Sequence, residues 1–509
     1  MNRRWPTAVL DCGGKHGGAT PLWLIAATSA DAAKAASHVL FAAAVQKPVR
    51  TGRAPVGTDG ACALLKRRVN QSSRFPFATQ ASRRLTARRN QTTLALMQNV
   101  ASLTEFLDQQ MPAALEMLRQ MVGFNSFTEN RDGVNRLGRF TAECFAPLDF
   151  TAEFVPSTNP AWGDHLVLTR RGRSARSITL VSHLDTVFPP EEEARNNFHW
   201  LVEGERIYGP GTHDIKGGTV MMWLVLVALG ARAPEVFEEI TWQLFLNSSE
   251  ETLSHDFGEL CRSRFTGETL SALVFESEGR LGEERLLVVA RKGRATWRVT
   301  VTGRGAHAGS KHQHGANAVV QLARTIQRLA ALTDYAQDLT FNVGTVVGGT
   351  VLNRVPHEAV AEGELRAFTP EAYAHGKAAL LALAGPGEVR SPVDRYACEV
   401  KVEILSESRP WPRNPGTDRL LELWKQAGAE QGIAVEGEER GGLSDGNFLW
   451  DAVPTLDGLG PWGDNGHCSE RSADGSKLPE FVDVSSFVPK AALNTVAILK
   501  LAEQAGVGR

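Results

Sequence analysis

The run Ser177-Ile178-Thr179-Leu180-Val181-Ser182-His183-Leu184-Asp185-Thr186 decides the fold. Its centre, Ile178 to Val181, is β-branched or apolar at every position, as in a strand enclosed on both faces of a mostly parallel sheet. Similar runs lie at Ile240–Leu246, Leu270–Phe275 and Val453–Leu456, with an apolar helix expected at Thr219–Ala231 between two of them. Upstream, a helical pattern opens at Met97 (Leu103, Phe106, Leu107, Met111, Leu115, Leu118, Met121). A second helix is expected near Val134–Phe145 and a short extended run at Leu166–Thr169. Strands alternating with helices predict an α/β layered domain. Between about Lys292 and Ser406 the character changes. Alternating strands at Thr296–Thr302, Asn342–Val347 and Ala359–Ala367 enclose helices at Asn317–Leu332 and Pro370–Leu383, which reads as a smaller α+β unit.

The 509 residues are enough for two or more domains. Hydrophobic residues at 42% and charged residues at 22% fit a globular chain and exclude a fibrous, wholly disordered or membrane-embedded one. A formal net charge of -2 gives no global pull toward nucleic acid or an anionic membrane. The charge is uneven, however: residues 1–90 hold 15 Lys and Arg against 3 acidic residues, and no Glu occurs before Glu105. Pro21–Val45 is Ala-rich but broken by Asp31, Lys34 and His38, too short and polar to span a bilayer and without a clear secretory cleavage site. Residues 1–95 are therefore expected to be a disordered leader or to lie upstream of the true start. The cysteines (Cys12, Cys62, Cys144, Cys261, Cys398, Cys468) form no CxxC pair, which speaks against a cysteine zinc site and a disulfide framework. A reducing, cytoplasmic location is expected, with export the alternative if the leader is a signal.

In open α/β sheets functional groups converge at the carboxyl ends of the strands. The first such end carries His183 and Asp185. The second is Gly209-Pro210-Gly211-Thr212-His213-Asp214-Ile215-Lys216-Gly217-Gly218, at the mouth of the apolar helix. The third is the pair Glu250-Glu251, the fourth Glu276 after Phe275, and the fifth Gly466-His467-Cys468. Singly, each has a bland reading: a structural histidine, a helix N-cap, a solvated loop charge. Together, two histidines and three carboxylates make an N/O donor set suited to zinc or a related divalent ion. Five ligands are too many for one catalytic zinc but suffice for two metals if one carboxylate bridges, which leaves one carboxylate over as a general base.

These segments, in this order, closely resemble the signature of the two-zinc metallopeptidase family of carboxypeptidase G, succinyl-diaminopimelate desuccinylase, acetylornithine deacetylase and aminoacylase. The resemblance covers about Met97 to Ala505. It implies a three-layer catalytic domain with a mostly parallel central sheet (96–291 and 408–509), interrupted by a lid and dimerisation domain (292–407). It further implies one zinc at His183 and Glu276, another at Glu251 and His467, and Asp214 bridging both, with cobalt or manganese as substitutes. Asp185 would orient His183 from behind, Glu250 would be the general base, and the Asp214-Ile215 peptide would be cis.

In the smaller unit, Gly303-Arg304-Gly305-Ala306-His307-Ala308-Gly309 resembles the family's lid segment, whose histidine reaches across a homodimer into the partner's site. Asn353-Arg354-Val355-Pro356 and Glu364-Leu365-Arg366 resemble substrate-facing lid positions, with Arg366 gripping a carboxylate and Glu364 standing where Asp is more usual. Arg285 falls near a residue that helps hold a terminal carboxylate. Gly441-Gly442-Leu443-Ser444-Asp445-Gly446 resembles a Gly-rich loop near the substrate, and the segment between His467 and Glu480 is longer than usual.

The resemblance thus implies an exopeptidase that releases a C-terminal amino acid by cleaving the amide next to a free carboxylate. An N-acyl-amino-acid deacylase of the acetylornithine or aminoacylase type is the alternative. A non-catalytic binding relative is more distant, because the ligand set and Glu250 are intact. No aromatic interleaving or amphipathic stripe supports a nucleic-acid or membrane partner.

Overall fold

The computed structural model describes residues 78–507, with side chains from Val100 to Val507. The expectations placed on residues 1–77 lie outside these. The first helix, Ala78–Val122, begins well before Met97, so the expected leader boundary at residue 95 falls inside a helix. The stretch from Ala78 to Val100 contains no Gly or Pro, so nothing in it breaks a helix.

Five strands build most of the central sheet: β1 (Thr151–Pro156), β2 (Asp164–Arg170), β3 (Ser177–His183), β4 (Thr241–Asn247) and β5 (Thr269–Val274). Their order is β1-β2-β4-β3-β5, with the short strand Thr455–Leu456 on the far edge. From β4 outward through β3 and β5 the pairs are parallel, and β2 and β1 close the other edge antiparallel. The sheet is mostly parallel, as the enclosed apolar runs predict.

Alternation along β3 explains why both faces are covered. Ile178 and Leu180 enter a core shared with the helices Ala78–Val122, Lys216–Arg232, Pro415–Gln431 and Phe487–Gln504. Val181 enters a second core with Phe245, Phe257, Val274 and Leu449, beneath the helix His255–Arg264. Consecutive side chains point to opposite faces of a strand, so a fully apolar strand needs a layer on each side.

A second sheet forms the small lobe from β6 (Gly293–Thr302), β7 (Thr340–Gly348), β8 (Glu358–Ala367), β9 (Gly385–Arg390) and β10 (Ala397–Ser408). It is antiparallel, in the order β7-β8-β6-β10-β9. On β6, Ala295, Trp297, Val299 and Val301 are buried against the helices Ala318–Ala330 and Pro370–Leu381, so Arg294, Thr296 and Arg298 stand on the opposite face. Asn317 and Thr369 cap those helices by accepting from the Val320 and Ala372 amides. The chain crosses between lobes twice, and the crossings are tied together where the amides of Arg291 and Trp411 each donate to the other's carbonyl, at 2.8 and 3.0 Å. None of the described helices is long and apolar enough to cross a membrane.

Candidate metal centre

The floor of the site is assembled from loops that leave the ends of neighbouring parallel strands. His183 ends β3, Glu250 and Glu251 lie in the turn Glu250–Thr252 just after β4, and Glu276 follows β5. Asp214 arrives from the glycine-rich loop ahead of the helix Lys216–Arg232. That helix can seat itself because a Cβ at Gly218 would collide with the Phe275 carbonyl oxygen. The Asp214-Ile215 peptide is cis, and the Glu480 carboxylate pins it by accepting from the His213 and Asp214 amides at 2.9 and 3.2 Å.

Asp214 presents one oxygen to each side. Its Oδ1 lies 3.0 Å from His183 Nε2, which is also 3.7 Å from Glu276 Oε1. Its Oδ2 lies 3.2 Å from His467 Nε2, which is equally 3.2 Å from Glu251 Oε2. Ligand atoms of His183, Asp214 and Glu251 all fall within 4.8 Å of one another. The structure therefore gathers all five residues expected as ligands, as two His–carboxylate pairs sharing one aspartate.

Asp185 holds this floor from beneath. The His183 Nδ1–H donates to the Asp185 carbonyl oxygen at 3.0 Å, which turns Nε2 toward Asp214. The Asp185 carboxylate accepts from the Glu250 and Glu251 amides at 3.0 and 3.3 Å and from the Thr128 hydroxyl at 2.7 Å. One buried residue thereby fixes a histidine through its carbonyl and the backbone of both glutamates through its carboxylate.

The electrostatics show that the cluster fits cations. Burial pushes the Glu250 and Glu276 carboxyls well above their ordinary values, with Asp445 adding to the effect at Glu250 and Asp214 at Glu276. Glu251 is raised to about 7 by burial and then by Asp214, and its buried Oε1 has no hydrogen-bond partner. Burial would raise Asp214 too, but His183 and His467 outweigh it and hold that carboxyl far below the usual range. Contacts with Asp214 and Glu251 lift His467 to about 11. So many crowded acids beside two imidazoles, with a carboxylate oxygen left unpaired, make a donor set that divalent cations would satisfy.

Above the floor is a cavity of about 330 Å³ lined by Asp214, Glu250, Glu251, Glu276 and His467 below and by Arg294 and Arg366 of the small lobe. Arg366 is anchored: Glu364 accepts from its Nε and Nη2 at 2.8 and 3.0 Å, and the Gly441 carbonyl accepts from Nη1 at 2.8 Å. A larger cleft of about 810 Å³ lies between the helices His255–Arg264 and Pro370–Leu381, and none of the five candidate metal ligands lines it.

The remaining expected residues stand elsewhere. Arg285 is turned away into an ion pair with buried Glu278 at 2.5 Å, a carboxylate that also faces Arg280 and Lys490, and it lines no part of the cavity. That pairing occupies the guanidinium expected to hold a substrate carboxylate. His307 and Asn353 are exposed and adjacent, with the Asn353 carbonyl accepting from the Ala308 amide at 2.9 Å, and they too lie outside the cavity lining. The Nδ1 of His307 accepts from the Gly309 and Ser310 amides, both at 3.1 Å, so in the neutral ring Nε2 carries the proton. Thr128, Arg294 and the bracing role of Glu480 were not anticipated. The one sequence signal was the Glu480-Phe481-Val482 segment.

Residues 289–384 match the model of a peptidase dimerisation domain. Carboxypeptidase G2 of Pseudomonas sp. (strain RS-16) is 27% identical over 382 residues, covering 74% of this chain and 86% of the relative. Succinyl-diaminopimelate desuccinylase of Paracidovorax citrulli is 26% identical over 368 residues, covering 69% and 90%. A dinuclear metal-binding peptidase of the M20 family from Bacillus subtilis shares the fold, with a TM-score of 0.52, 14% identity, and coverage of 77% of this chain and 99% of its own length. A peptidase dimerisation domain is thus set within an α/β lobe whose loops gather paired His–carboxylate groups, and along most of its length the chain is similar to carboxypeptidase G2 and to the desuccinylases.

Proposed function

We propose that the protein is a two-zinc exopeptidase that cleaves the amide next to a free carboxylate, releasing a C-terminal amino acid. The observation that carries this reading is Asp214, one oxygen on each His–carboxylate pair, with Glu250 in the same cavity and outside either pair. His183, Glu276 and Asp214 would hold one ion and Glu251, His467 and Asp214 the other; when bound, the ions supply Lewis acidity and a water that ionises near neutral pH. Glu250 takes a proton from the attacking water and returns it to the leaving nitrogen. Asp185 keeps His183 and the Glu250 backbone in register throughout. An arginine of the small lobe orients the substrate's carboxylate, and lobe closure excludes bulk water.

A second copy completes the site in this reading. The edge strand β7 exposes Val346 and Val347, and nearby Val351 and Leu352 are exposed too, the last fully. An unpaired apolar edge beside His307 and Asn353 suits a homodimer in which His307 of the partner subunit stabilises the oxyanion. The four described cysteines, Cys144, Cys261, Cys398 and Cys468, are free, which supports a reducing, cytoplasmic setting.

A deacylase of N-acyl amino acids uses the same chemistry, and the desuccinylase relative favours it as a second reading. Hydrolysis of an N-acyl-glutamate and of N-acetylornithine by zinc-loaded protein, before and after chelation and in Glu250→Gln, tests both. Chelator-sensitive cleavage that disappears in the variant is expected, and the preferred substrate selects the branch. Metal-loaded protein inert toward both and toward a wider panel of acyl amino acids and dipeptides contradicts the proposal.

A further inference from the structure

Four arginines line the cavity, and three are already neutralised by the protein. Arg291 is buried in an ion pair with Asp457 at 2.8 Å and donates to the Gly442 and Leu443 carbonyls. Arg440 pairs with Glu438 at 2.7 Å and donates to the Ser277 carbonyl. Arg366 spends its fork on Glu364 and its third nitrogen on Gly441.

Arg294 differs. Its Cα is the register partner of Arg366 across β6 and β8, so both side chains rise from the sheet face opposite the lobe's own helices. It is half-buried, its Nε is buried with no hydrogen-bond partner, and it forms no ion pair among the described residues. Burial and the neighbouring Arg366 charge both work against its protonated form. A half-buried guanidinium lining the cavity, with its buried Nε unused, is suited to receive an anion.

Resting on the proposed amide hydrolysis, we infer that Arg294, rather than Arg366, is the principal receptor for the substrate's free carboxylate. Arg366 is then a positioning residue: Glu364 aligns it, and its bond to Gly441 latches the small lobe onto the loop Gly441–Gly446 of the large one. The ligand class is an acyl amino acid or peptide with an ionised carboxylate beside the scissile amide.

The test uses full-length, metal-loaded protein and a matched pair, an N-acyl amino acid and its primary amide, which differ only in that carboxylate. Wild type prefers the acid. In Arg294→Met the acid-to-amide ratio of kcat/KM falls about tenfold to a hundredfold, mainly through KM for the acid, as expected for loss of a charged hydrogen-bond donor. Arg294→Lys restores part of the ratio, since it keeps the charge without the fork. Arg366→Met slows both substrates together and leaves the ratio standing. Arg298→Met, which removes an exposed charge from the same strand face that is paired with Glu362, keeps the wild-type ratio and serves as the control for net charge. An unchanged ratio in both Arg294 variants, with collapse in Arg366→Met, overturns the assignment. If Arg294→Met does not fold, the ratio in Arg294→Lys decides. Wild type that cleaves neither compound removes the functional reading itself and the assignment with it.

Discussion

His183 is almost wholly enclosed, 1% exposed, and every group it needs lies within its own chain. His307 is exposed on the small lobe, its ring orientation set by two backbone amides, and it lies outside the lining of the cavity above the floor. The floor is finished when one chain folds; the outer edge of the small lobe carries oriented groups beside the exposed apolar edge of β7. The difference teaches that one copy builds the ligand cluster, whereas the proposed role of its outer residues requires a second.

The comparison can be broken at several points. Glu250→Gln keeps the shape of the floor and removes its free base: kcat is expected to fall about a thousandfold with metal content unchanged. Comparable loss of bound metal would mean that Glu250 is a ligand. His307→Ala should cost about a hundredfold or more, the scale of a lost oxyanion donor, while leaving metal binding intact. Mixing the two variants and allowing subunits to exchange should return about a quarter of wild-type activity, since half of the randomly formed pairs hold one unaltered site. Recovery no greater than the sum of the parents would place His307 in its own chain's site.

The double substitution Val347→Lys with Leu352→Lys charges the exposed edge. Sedimentation should show a dimer for wild type and monomers for the variant, with activity falling in step. Thr128→Val removes one of three hydrogen bonds to the Asp185 carboxylate, costing about 1 kcal/mol and a few-fold in kcat with KM little changed.

Asp256 is the smallest lever, since it braces the segment after Glu251 without touching a ligand. Burial would raise its carboxyl, but His165, the Thr158 amide and Ser254 hold it well below the ordinary range. The folded pKa is thus below the unfolded one, near 3.9, so the stabilisation is fully present above about pH 4 and is lost as pH falls through the folded value. Asp256→Asn should lower Tm by a few degrees at neutral pH, a gap that closes on acidification, with the activity of the folded protein retained.

The same division governs what the sequence reveals. The floor is legible at His183, Glu251 and Glu276, which follow enclosed apolar strands whose ends face the sheet's functional edge, whereas Asp214 and His467 follow short strands of a separate antiparallel sheet. Bounds were close wherever periodicity was strong, as in the helix Pro370–Leu381 and β8. Strand β10 is hard to read in sequence because Glu399, Lys401 and Glu403 on its outer face dilute the apolar signal. Arg294 and Thr128 are invisible for another reason. Arg294 becomes the partner of Arg366 only once β6 and β8 pair in register, and Thr128 meets Asp185 across 57 residues. The ion pair of Arg285 is equally hidden, because Glu278, the buried carboxylate that engages it, reads in sequence as an ordinary loop acid.

The most direct test of the central claim is to strip the full-length protein with chelator and titrate zinc back, following bound metal by native mass spectrometry and hydrolysis of an acyl amino acid on the same samples. The account predicts two ions per protomer in wild type, activity that returns as they bind, and weakened binding in both His183→Ala and His467→Ala. Activity that survives complete metal removal, or a protein that takes up no more than one ion at saturation, would contradict it.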